Sequence, residues 1–99
     1  MPDPAPAEKR TSRVTRIVNK QGWHARPSAL VVKTANKFKS RLTITINGET
    51  ANGKSIMEVI MLASPLGTEV TIEALGEDAD EAVVAIVSLI DSGFGEELA

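Results

Sequence analysis

The single histidine of this 99-residue chain, His24, lies within Gly22-Trp23-His24-Ala25-Arg26-Pro27. Pro27 fits the first turn of a helix, where its missing N–H costs no hydrogen bond, so His24 falls at a junction of loop and helix. Backbone N–H groups at a helix start have no acceptor within the helix, and with the positive end of the helix dipole they favour an anion. The Arg26 guanidinium adds bidentate contacts to phosphate oxygens. Gly22 lets the chain turn sharply just before. An imidazole so placed presents a nucleophilic nitrogen beside a phosphate cradle. Both positive influences act against an imidazolium; a carboxylate acting the other way, Asp91 or a glutamate, could arrive only through the fold.

Other histidine chemistries fit less well. A metal site needs further nitrogen or sulfur ligands, and the chain has no second histidine and no cysteine. No nucleophile-elbow sequence supports a hydrolytic triad, and no Gly-x-x-x-x-Gly-Lys-Ser/Thr loop supports ATP binding. Neither a metal nor a cofactor is expected.

Holding a histidine in this way takes a strand before it and a helix after it. Residues 13–19 (RVTRIVN) are β-rich. From Pro27, apolar positions at 27, 30, 31, 34, 35 and 38 follow the stripe of an amphipathic helix. Lys33, Lys37 and Lys39 give this helix a basic flank. Residues 42–46 (LTITI) alternate as a half-buried strand does, and Asn47-Gly48 predicts a hairpin to a partner over 49–51. Residues 55–62 open with Ser-x-x-Glu, a capping box, and read as a short helix closed by Ser64-Pro65-Leu66-Gly67. Residues 69–74 alternate again; a last helical stripe runs from Ala79 to Ile90 and stops at Asp91-Ser92-Gly93. The order β-α-β-β-α-β-α predicts an α+β fold with helices over one face of a four-stranded sheet. Residues 1–12, Pro-Ala-rich and charged, are expected to be a disordered tail before one domain over 13–99.

Composition narrows the function. A formal charge of −2 lends no support to nucleic-acid binding. With no cysteine, disulfides and a thiol nucleophile are excluded. No apolar run of about 18 residues suggests membrane insertion, and the start lacks the apolar core of a secretory signal, so a cytoplasmic address is expected.

The segments Gly22 to Ala29 and Gly53-Lys54-Ser55-Ile56-Met57 resemble the two signatures of the histidine-containing phosphocarrier family (HPr) of the bacterial phosphotransferase system. The resemblance covers about residues 14–91. It implies an open-faced β-sandwich, four antiparallel strands covered on one side by three helices. It implies a carrier, not an enzyme, whose His24 takes a phosphoryl group on Nδ1 from enzyme I, charged by phosphoenolpyruvate, and passes it to an enzyme IIA component. Arg26 would steady the phosphate charge as it forms and leaves, and the backbone N–H groups near Ala25 and Arg26 would complete the cradle. Ser55 matches the serine that a kinase and phosphorylase act on in many members. Docking would use Ile56, Met57, Ile60 and Met61 of the short helix, almost uniformly apolar, with Ala25, Ala29 and Lys33 from the first. A monomer is implied.

The chain departs from that pattern at Trp23, where the family more often has an aliphatic residue. An exposed indole there is expected to join the docking surface. Glu58 puts an acid on the docking helix. The alternative is a regulatory binding protein, of a nitrogen-type branch or under kinase control, rather than a carrier for sugar uptake.

Overall fold

The structure, a computed structural model, describes residues 9–98. Its order is β1 (Arg10–Arg16), α1 (Ala25–Ala35), β2 (Arg41–Ile46), β3 (Glu49–Asn52), α2 (Ile56–Ile60), β4 (Glu69–Leu75) and α3 (Ala79–Asp91), then a short 3₁₀ turn at Gly93–Gly95. The strands form one antiparallel sheet in the order β1-β4-β2-β3. Period-2 alternation puts Leu42, Ile44, Ile46, Val70, Ile72 and Ala74 on one face, all buried. Against them pack Val31 and Ala35 of α1, Val59 of α2, and Ala82, Val83, Ile86 and Ile90 of α3. The other face, with the cross-strand row Val14-Thr71-Thr45-Thr50, is left uncovered by any helix among the described residues. This is the open-faced sandwich implied by the sequence.

The first strand begins three residues earlier than expected and ends at Arg16. It pairs along all of β4, from Arg10↔Leu75 to Arg16↔Glu69. Thr11 and Thr15 donate to Asp80 and Asp91 of α3, and the Lys9 ammonium pairs with Asp80. No residue of β1 is buried, so an edge strand held by backbone pairing and polar contacts carries no apolar alternation to mark it. Residues 9–12 therefore belong to the domain, which corrects the boundary at 13; the rest of the expected tail, residues 1–8, lies outside the described residues.

Two turns behave as their residues dictate. Asn47 and Gly48 both take positive φ, 53° and 79°, the hairpin geometry for which Asn-Gly is suited. Between β4 and α3, Asp78 accepts from the Lys39 and Ser40 N–H groups at 2.8 and 2.9 Å and from the Ser40 hydroxyl. These bonds to its charged form hold the Asp78 carboxyl down at about 2.

Candidate functional site

His24 is the N-cap residue of α1, in extended backbone geometry. Its carbonyl accepts the first helical bond from Ser28 N–H at 3.0 Å, and its side chain makes no cap bond. The ring is thus free to face outward, about one-third exposed. The Ala25 and Arg26 N–H groups lie in the first turn, without intrahelical acceptors. Gly22 sets the approach: its φ is +74°, and a Cβ there would sit 2.3 Å from the Ser64 carbonyl oxygen. That carbonyl accepts from Trp23 N–H at 2.7 Å, so the loop is clamped to the segment after α2.

Trp23 is buried, 1% exposed. Its indole N–H donates to Val59 O at 3.2 Å, and its ring meets Phe94 edge-on with centroids 5.6 Å apart. The expectation of an exposed indole in the docking surface is corrected. With three aromatic residues in the chain, the largest side chain fills the space beneath the site loop, its one polar atom satisfied.

Sequence reasoning missed the centre of the site, Glu96. Gly93, Phe94 and Gly95 all take left-handed φ, 67°, 57° and 73°, and turn the chain back after α3. Backbone pairing of Asn19 with Leu98, and Lys20 N–H donating to Glu97 O at 2.9 Å, hold the returning segment beside the site loop. The Glu96 side chain, 12% exposed, then receives three donors. His24 Nε2 lies 3.0 Å from each of its oxygens, Arg26 Nη1 2.8 Å from Oε2, and Asn19 Nδ2 3.0 Å from Oε1. Arg26 Nη1 also donates to Phe94 O at 3.0 Å, and Asn19 Nδ2 to Gly22 O at 2.8 Å. The hydrogen bond from His24, with those from Arg26 and Asn19, holds the Glu96 carboxyl below its usual range against the opposing cost of burial. A glycine-bracketed turn after the last helix, followed by Glu96-Glu97, was the only sequence signal.

An ionised carboxylate only accepts, so the proton of a neutral His24 ring sits on Nε2 and the lone pair on Nδ1. The geometry presents a nucleophilic nitrogen with its tautomer fixed, a guanidinium within reach, and the positive end of a helix.

Ser55 caps α2, its hydroxyl oxygen accepting from Glu58 N–H at 3.4 Å. The expected capping box is half formed: the Glu58 carboxylate reaches Asn52 N–H at 3.1 Å instead of returning to Ser55. Ala25, Ala29 and Lys33 are exposed on α1. On α2, Ile56 and Ile60 are 42% and 39% exposed and Met57 75%, Val59 alone is buried, and Met61, the C-cap residue of α2, is 80% exposed. A concavity of about 580 Å³, lined by Arg41, Thr43, Asn52 and Glu73 among others, contains neither His24 nor Arg26. Among the described residues no group of side chains is arranged to hold a metal ion, and no helix is long and apolar enough to cross a membrane.

In this open-faced sandwich an outward histidine, a guanidinium and the first N–H groups of a helix come together at the start of α1. The family model described as the PTS HPr component phosphorylation site matches residues 11–92, and the chain belongs to that family, the phosphocarriers of the phosphotransferase system. A solved structure of HPr from Thermoanaerobacter tengcongensis is similar at 44% identity and a TM-score of 0.82, covering 89% of this chain and 99% of that one. The phosphocarrier protein HPr of Bacillus anthracis is similar at 37% identity and a TM-score of 0.77, over 82% and 96%. The catabolite repression protein Crh of Bacillus subtilis, there a swapped dimer, is similar at 42% identity and a TM-score of 0.66, over 75% and 85%. No curated protein matches the chain.

Proposed function

We propose that His24 carries a phosphoryl group on Nδ1, taking it from phosphoenolpyruvate-charged enzyme I and handing it to an enzyme IIA component. The observation that carries this reading is the Glu96 carboxylate on Nε2, which leaves the Nδ1 lone pair as the ring's nucleophile. In the transfer the Nδ1 lone pair attacks phosphorus as the donor's phosphorus–nitrogen bond breaks. Glu96, holding the Nε2 proton, balances the positive charge that grows on the ring. Arg26, its side chain 55% exposed, can exchange Glu96 for the incoming phosphoryl oxygens with little repacking. The Ala25 and Arg26 N–H groups accept the rest of the charge. Phosphoryl transfer is mostly positioning and charge stabilisation, so so open a site suffices.

Docking uses the exposed apolar side of α2, Ile56, Met57, Ile60 and Met61, continued by Ala25, Ala29 and Lys33 on α1. Flexible methionines suit partners met in turn at one surface. In this reading the carrier acts as a cytoplasmic monomer. A kinase acting on Ser55 would add up to two negative charges beside this surface, and its long cap bond is cheaply given up. The likeness to Crh favours a second reading, a regulator that docks and controls a partner through Ser55. Phosphoryl uptake separates the two. Incubation with phosphoenolpyruvate and enzyme I should label the parent with acid-labile phosphate and leave His24→Ala, equally folded, unlabelled. Equal labelling of the two would remove the carrier reading.

A further inference from the structure

We propose that Met57 and Met61 form an oxidation site through which hydroperoxides switch partner docking off. This rests on the docking reading above and adds a regulator to the same surface. The two thioethers stand four residues apart on one side of α2, 75% and 80% exposed, with Ile56 and Ile60 between and beside them. The chain has no cysteine, so its methionines are its only sulfur groups, and the third, Met1, lies outside the described residues. The one indole, Trp23, is buried and hydrogen-bonded, sheltered from the same oxidant.

What sets this pair apart is that both side chains stand outside the hydrophobic core. Helix α2 is anchored by Val59, 0% exposed, and capped by Ser55. Both methionines can therefore be modified with α2 in place. In the reaction a sulfur lone pair attacks the distal peroxide oxygen and the O–O bond breaks. Sulfur gains one oxygen and loses two electrons, and the hydroperoxide leaves as water or an alcohol. A reductase dithiol reverses it, becoming a disulfide as the sulfoxide oxygen departs as water. A sulfoxide is a strong, chiral dipole where a soft apolar group stood. On docking it must be stripped of water without a partner shaped for it.

The test treats the full chain with hydrogen peroxide. Peptide mass spectrometry should find sulfoxide at Met57 and Met61, with an unchanged thermal midpoint. The kcat/KM for phosphorylation by enzyme I should fall about tenfold or more, as expected for a buried unpaired dipole, and recover with methionine sulfoxide reductases. In a Met57→Leu/Met61→Leu variant, whatever its untreated rate, peroxide should change nothing. Full oxidation at both positions without loss of rate, resistance of both thioethers to peroxide, or an equal loss in the leucine variant would each overturn the proposal. An untreated Met57→Glu/Met61→Glu variant separates the two readings. Parent-like phosphorylation of that variant removes the docking surface itself, whereas its impairment beside a fully active sulfoxide protein removes only the oxidation site.

Discussion

Replacing Glu96 with glutamine keeps the shape of the site and inverts half of its hydrogen bonding. In the parent both oxygens accept, from His24 Nε2 at 3.0 Å and from Arg26 and Asn19 at 2.8 and 3.0 Å. The amide keeps one acceptor and puts an NH₂ where the other oxygen was. Nε2 stands 3.0 Å from both positions, so in the variant it faces one acceptor and one donor, and a proton on Nδ1, which occupies the nucleophilic lone pair, is no longer disfavoured. The bias lost is that of one charge-assisted hydrogen bond, about 1.5–3 kcal/mol. The reactive tautomer, and with it kcat/KM for phosphorylation by enzyme I, should fall by about 10- to 100-fold. Ring ¹⁵N shifts read the tautomer directly: Nε2–H in the parent, a mixture or Nδ1–H in Glu96→Gln. Glu96 titrates below its ordinary value of 4.5, so its contribution is complete above that pH and is lost only as pH falls through the lowered value. Above about pH 4.5 the parent's tautomer should not change on account of Glu96. A glutamine variant with the parent's tautomer and an undiminished rate would refute the reasoning.

Arg26→Ala should lower transfer by about 10- to 100-fold, the loss of one charge-assisted contact of about 1.5–3 kcal/mol, since the backbone cradle remains; initial rates with enzyme I measure it, and an unchanged rate would place the guanidinium elsewhere during transfer. Ser55→Asp should weaken binding to enzyme I in calorimetry without lowering the thermal midpoint, because aspartate caps a helix as well as serine does. Asp78→Ala removes the acceptor for Lys39 and Ser40 and should cost about 2 kcal/mol, roughly 8–16 °C in Tm. Asp78 is lowered from 3.8 to about 2, so the stability it supplies is whole above pH 3.8 and vanishes as pH falls through about 2. Acid unfolding of the parent should steepen across that window, and the variant should lack the step.

His24 and Arg26 were legible because their relation is local. Three consecutive residues and a proline set a helix start, and a helix start fixes where the N–H groups and the guanidinium go. The inward faces of β2, β4 and α3 were legible because periodic burial repeats every two or every 3.6 residues. The exposed side of α2 was legible because a helix apolar all round cannot hide every side on so small a domain. Three features were not. The polar edge strand β1 shows no alternation, so its start depended on β4 lying beside it. Trp23, expected to be exposed, is buried because packing against Phe94 and the bond to Val59 O hold it beneath the site loop. Glu96 lies 72 positions from His24. Left-handed residues at Gly93–Gly95 aim the chain back, and pairing of Leu98 with Asn19 delivers the carboxylate. Local dihedral preference and periodic burial place the residue proposed to hold a phosphoryl group. Which of its two nitrogens is free to do so is decided by a charge that only the closed fold brings within hydrogen-bond reach.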